Sequence, residues 1–125
     1  MCKLKSRTDL MSVSEIQQVA DSYGKGSPEY VDCLMRGAKA YPNDVTAVNN
    51  AALALMEADR TDEAIRLLDN APEEGELLNL KGVAYSKLGD YEQAEKAFSA
   101  AQSKGYTPAG ENLTLLKKYA EYMAE

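Results

Sequence analysis

The sequence has no histidine, no tryptophan, one phenylalanine and two cysteines in 125 residues. Each scarcity excludes something. Without histidine there is no ordinary general base and no Ser-His or Cys-His nucleophile. With two cysteines and no histidine, most zinc sites are excluded as well. Two cysteines do not make a disulfide framework. Cys33 falls in a helical stretch beside Leu34 and is expected as a small, partly buried free thiol, with a Cys2–Cys33 bridge as the alternative. No apolar run approaches the about 20 residues that span a bilayer, and no apolar signal-peptide core follows Lys3 and Lys5. Met1-Cys2 lacks the upstream segment of a lipid-attachment site. The chain therefore reads as soluble. It is expected in the cytoplasm or, if it is a piece of a longer exported protein, in the cell envelope. No segment alternates apolar and polar residues with a period of two, so no strands are expected.

Charge narrows the partners. The formal net charge is -6, from 14 basic and 20 acidic residues. Lys3, Lys5 and Arg7 make the first seven residues +3, which leaves 11 basic against 20 acidic groups, or -9, on residues 8–125. Such a body repels nucleic-acid phosphates and anionic lipid. Gly24-Lys25-Gly26-Ser27 lacks the spacing of a phosphate-binding loop and follows no strand. Neither a cofactor nor a metal is expected, and no residue is assigned a catalytic role.

What the chain has in abundance is helical patterning. Ser12 and Glu15 form a capping box, so a helix starts near Val13 and buries Ile16, Val19, Ala20 and Tyr23 until Gly24 and Gly26 stop it. Ser27-Pro28-Glu29 opens a second helix, with Tyr30, Val31, Leu34, Gly37, Ala38 and Tyr41 on its apolar side and Pro42 at its end. Asn43-Asp44 caps a third, in which Val45, Val48, Ala51, Ala52, Leu55 and Met56 recur every three to four residues. After a break at 59–62, Ala64, Ile65, Leu67, Leu68 and Ala71 mark a fourth. Glu73, Glu74 and Glu76 suit the positive end of a fifth helix, which runs to about Leu88. Asp90, with Gln93 three residues on, caps a sixth at about Tyr91–Ser103, and Gly105 fits its C-cap. Thr107-Pro108 starts a last helix with Leu113, Leu115, Leu116, Tyr119 and Met123 as its apolar set.

Some of these marks repeat. Gly82, Tyr85, Ala94, Phe98 and Ala101 have counterparts 30 residues earlier in Ala52, Leu55, Ala64, Leu68 and Ala71. A further 34 residues back stand Tyr30, Leu34, Gly37 and a closing Pro42-Asn43-Asp44. Small residues such as Gly82 and Ala94 let paired helices approach closely. The pattern resembles the tetratricopeptide repeat, a helix-turn-helix unit of about 34 residues. The resemblance covers residues 12–105, strongest at 75–105 and weakest at 12–42. It implies an all-α fold of about seven helices: antiparallel helix pairs stacked as a short right-handed superhelix with a C-terminal capping helix. The expected layout is a tail at 1–11, then one domain at 12–125. Its units are 12–42, 44–72 and 75–107, and the capping helix is 108–124. Three departures stand out. Lys81 replaces an apolar residue, so that turn is expected to be more exposed. The link after Pro72 is short, which is expected to tilt the helices there. Gln17 and Gln18 replace a Leu-Gly pair, which makes the first helix a polar-faced cap.

The resemblance implies a non-catalytic module that binds a protein or peptide on the concave face, lined by the first helix of each pair. Carried over residue by residue, that face is Asn49, Leu53 and Met56 in one unit and Asn79, Val83 and Ser86 in the next, with Leu113 and Lys117 closing one end. Paired amides at Asn49 and Asn79 would hold peptide backbone, over an adaptable apolar floor of Leu53, Met56 and Val83. The family's variant that grips a C-terminal carboxylate is not expected, because Asn49 and Asn79 stand at its first lysine and Leu53 and Val83 at its asparagine. The parent is expected to be a larger bacterial assembly or envelope protein. The other reading is an architectural element that self-associates through its terminal helices. Tyr106, Tyr119 and Tyr122 either pack beneath the last helix, the commoner arrangement, or form an exposed patch.

Overall fold

Seven helices and no strand make up the described residues of the computed structural model, 11–124, excepting the side chains of Ala120, Met123 and Ala124. The basic cluster Lys3, Lys5 and Arg7 lies outside the described residues, as does Cys2. The chain divides into two compact units, the first up to Ala71 and the second from Pro72.

In the first unit, α1 (Val13–Asp21), α2 (Pro28–Ala40), α3 (Val45–Glu57) and α4 (Thr61–Asp69) pack each on the next. Their starts follow from capping chemistry. The Ser12 hydroxyl accepts from the Glu15 amide at 3.1 Å, and Glu15 accepts from the Ser12 amide at 2.9 Å, which satisfies two otherwise orphan donors. Ser27 accepts from Tyr30 N at 3.1 Å ahead of Pro28, and Asp44 accepts from Ala47 N at 3.0 Å. The Tyr41 hydroxyl donates to the Met11 carbonyl and fastens the segment before α1 to the end of α2. The core is the expected apolar set, with Ile16, Val31, Val48, Ala51, Ala52 and Leu55 almost wholly buried. Gly37 is where α1 comes close: a Cβ there would stand 3.0 Å from Ile16 Cγ2.

Cys33 corrects an expectation. It is fully buried and disulfide-bonded, not a free thiol. A count of two cysteines argues against a framework of bridges, but it is enough for one, and burial of a helical cysteine does not decide its redox state.

The second unit consists of α5 (Gly75–Lys87), α6 (Tyr91–Ser103) and α7 (Pro108–Ala124). The antiparallel pair α5–α6 packs most extensively, α7 lies along α6, and α5 touches α7 more lightly. Phe98 is the pivot. It is buried with Ala94 and Leu116, and Val83, Tyr85, Tyr91 and Leu113 pack around them. Gly82 lies against its ring, so close that a Cβ would stand 2.5 Å from two ring carbons. A small residue is therefore required at position 82 for α5 and α6 to meet. Lys81 is half-buried, so the turn is not opened to solvent as its charge suggested. A lysine stem packs along apolar surface while its head stays wet.

The helix starts follow the 30-residue repeat, although α4, with 9 residues, is shorter than α6, with 13. α3 and α5 have 13 residues each and start at 45 and 75; α4 and α6 start at 61 and 91. The turns match too. Arg60 N donates to Leu55 O at 2.8 Å around left-handed Asp59 (φ 63), and Asp90 N donates to Tyr85 O at 3.0 Å around Gly89 (φ 81). These bonds close the carbonyls left open at a helix end. The match fails at the next residue. Asp90 caps α6 by accepting from Gln93 N at 3.2 Å, whereas its counterpart Arg60 makes no side-chain cap and pairs with Glu63 instead.

Candidate functional site

Each unit has a cleft. In the second unit it lies between α5 and α7, over α6, with a volume of about 420 Å³. Val83 and Ser86 come from α5, Tyr91 and Phe98 from α6, and Asn112, Leu115, Leu116 and Tyr119 from α7. Most of this lining is apolar. The Ser86 hydroxyl donates to Gly82 O at 2.9 Å, and its oxygen retains the capacity to accept. Asn112 Nδ2 donates to Asn79 Oδ1 at 2.9 Å, linking α7 to α5. Tyr91 and Tyr119 stand edge to face, with ring centroids 5.5 Å apart and planes at 63°. The hydrogen bond to Tyr119 raises the Tyr91 phenol above its usual range.

One wall of this cleft is open to solvent. Leu115, Tyr119 and Tyr122 are 63%, 47% and 73% exposed. At spacings of four and three they form a row along one side of α7. Leu116 and Ala109 are buried against the rest of the unit, and Leu113 is half-buried beside Phe98. Tyr106 packs instead, since a Cβ on Gly75 would stand 2.7 Å from its Cβ. The three C-terminal tyrosines therefore divide: Tyr106 packs, while Tyr119 and Tyr122 form surface.

The first unit's cleft lies between α1 and α3. Two adjoining hollows of about 460 and 280 Å³ share Gln17 and Asn50. Ser14, Gln18, Asp44 and Thr46 line the larger, and Tyr30, Leu53, Ala54 and Glu57 the smaller. The larger hollow is mostly apolar in surface, with Val13 in its lining, while the smaller is about evenly polar and apolar. Gln17 Nε2 donates to Asp21 Oδ1 at 2.9 Å, which holds its side chain along α1.

The structure separates the residues carried over from the repeat pattern. Val83 and Ser86 line the second unit's cleft, and Leu53, 40% exposed, lines the first unit's. Asn79 is half-buried and its carbonyl oxygen is already the acceptor for Asn112. Met56 is 5% exposed and belongs to the core. Asn49 is half-buried but does not line either cleft described, where its neighbour Asn50 does. Lys117 is exposed and lines no cleft described. Sequence reasoning missed Gln17, Asn50, Asn112, Leu115 and Tyr119 as cleft residues. For Asn50 the signal was there: Thr46, Asn50, Leu53 and Glu57 follow the spacing of one helix face, about 100° from Asn49.

Two compact units of antiparallel helix pairs, with a repeated turn and small residues at the helix contact, define a helical-hairpin repeat protein. The family model of the tetratricopeptide repeat matches residues 75–103, the α5–α6 pair. That segment is similar to a tetratricopeptide repeat, and Gly82, Ala94 and Phe98 lie where its two helices meet. No curated protein matches the chain. Repeats of this type serve in general as protein-interaction modules and are typically non-catalytic. Among the described residues, no helix is long and apolar enough to cross a membrane.

Proposed function

We propose that this chain is a non-catalytic protein-binding module that holds an apolar stretch of its partner in the α5–α7 cleft. The observation that carries this reading is the exposed row Leu115, Tyr119 and Tyr122 beside a hollow floored by Phe98. Exposed apolar rows next to a hollow mark interaction sites on soluble proteins. Tyrosine suits such a surface, with a large apolar face, few rotors and a polar tip. Asn112 and Ser86 supply hydrogen-bonding groups that orient the bound segment. In the first unit, Asn50 and Gln17 offer side-chain amides to peptide main chain beside apolar lining, so the amide role first assigned to Asn49 passes to its neighbour.

The Cys33 disulfide supports a place for the parent protein in an oxidising compartment, in line with an envelope assembly.

Affinity capture from the native source tests the binding reading, with wild type compared with Val83→Glu. Val83 is half-buried at the cleft, so a carboxylate there spoils an apolar site. Partners held by wild type and lost from the variant, at unchanged helix content, support the reading. Equal capture by both chains removes it.

A further inference from the structure

We infer that the Cys33 bridge runs to Cys2 of the same chain and locks α1, one wall of the first unit's cleft, so that reductant opens that cleft and leaves the α5–α7 cleft intact. The chain has two cysteines, and Cys33 is disulfide-bonded. Cys33 is 0% exposed, on the side of α2 that also buries Val31, Leu34 and Gly37. A sulfur of another molecule does not reach it there, whereas a cysteine of its own chain is enclosed with it as the unit folds. Cys2 lies outside the described residues, and the count leaves it as the one partner.

The bridge closes residues 2–33 into a covalent ring, and the whole of α1 lies inside that ring. This matters because α1 holds itself weakly. It has 9 residues, fewer than the about 12 at which isolated helices become even marginal in water. Its buried residues are Ile16 and Ala20, and its one extensive neighbour is α2. In the bridged chain, a segment that lifts off α2 stays tied at both ends and gains little conformational freedom. With the bridge cut, one end is released and the gain is larger.

The cleft depends on that helix. Val13, Ser14, Gln17 and Gln18 of α1 line the larger hollow, and Gln17 also lines the smaller. When α1 lifts, the Gln17 amide leaves Asn50 and the cleft loses a wall. Residues 72–125 contain no cysteine, so the second unit has nothing to reduce.

The chemistry is thiol–disulfide exchange with a dithiol reductant. One of its thiolates attacks a sulfur of the bridge, and the other protein sulfur leaves and takes up a proton. The second thiol of the reductant then displaces the remaining protein sulfur. Two protein thiols form, and the reductant becomes a disulfide. Buried Cys33 is reached when the unit opens locally.

A tryptic map of the unreduced chain, followed by amide hydrogen exchange, tests the inference. The map is expected to show the Cys2 peptide joined to the Cys33 peptide. Exchange of the oxidised chain is then compared with the same chain in dithiothreitol and with Cys2→Ser. The α1 amides are expected to exchange about ten-fold faster or more in both, with α5 and α6 unchanged. Disulfide-linked dimers, or a free Cys2 in the unreduced chain, overturn the pairing. Equal α1 exchange in all three samples, or an equal rise across α5 and α6, overturns the lock. None of these outcomes touches the reading of the α5–α7 cleft, which is decided by capture with Val83→Glu.

Discussion

Asn112 on α7 donates to Asn79 on α5 across 2.9 Å, joining the repeat to the helix that follows it. Residue 79 therefore serves in the scaffold, and its amide N–H groups are not spent in that bond. Asn79→Ala and Asn112→Ala are each expected to cost about 0.5–1.5 kcal/mol. In a double-mutant cycle by urea unfolding, the second change should cost little once the first is made. Full additivity would show that the two amides do not interact in solution.

Gly82 and Phe98 give the largest expected effect. With a Cβ placed 2.5 Å from the ring, Gly82→Ala must shift the ring or the helix. The expected loss is about 1–3 kcal/mol by overpacking, against about 3–5 kcal/mol for Phe98→Ala. Removing the ring also removes the clash, so Gly82→Ala made in a Phe98→Ala background should be close to neutral. Denaturant midpoints check this, and an equal loss in both backgrounds contradicts it.

The capping box predicts a pH effect with a definite sign. Hydrogen bonds from the Ser12 backbone, then its side chain, hold Glu15 below the usual glutamate range. A lowered folded-state value means that the stabilisation is present above the unfolded glutamate value. It is lost as pH falls through the folded one. Carboxyl NMR titration should show Glu15 ionising at lower pH than exposed glutamates, and Ser12→Ala, which keeps the backbone N–H, should raise it only part of the way. A Glu15 that titrates with the exposed glutamates in the wild-type chain contradicts the box.

The Cys33 disulfide predicts that the denatured, unreduced chain has no titratable thiol. It also predicts that reductant lowers stability by roughly 2–4 kcal/mol. Thiol titration and thermal unfolding with and without reductant check both. A free thiol in the oxidised protein contradicts the bridge.

Much of the fold was legible because short-range chemistry writes it. Ser12, Ser27, Asp44 and Asp90 announced four helix starts, and the 30-residue echo from Ala52 to Gly82 announced the pairing. The α4 start was less legible, since Arg60 offers no capping oxygen and Asp59 adopts the left-handed turn that glycine fills at position 89. The cleft was read only in part. Val83, Ser86 and Leu53 came through from the repeat pattern. Asn49 and Asn50 differ by one residue and about 100° of helix, and a pattern with no neighbouring helix beside it does not choose between them. Met56 looked available because methionine suits binding surfaces, yet the same flexibility suits a core gap. Leu115 and Tyr119 were read as packing residues because exposed and buried apolar sides of α7 share the same residue types.

The most direct test of the binding cleft is amide NMR of the labelled chain titrated with a captured partner. The account predicts shifts concentrated at Val83, Ser86, Asn112, Leu115 and Tyr119. Shifts confined to α2 and α4, with the α5–α7 cleft silent, would contradict it.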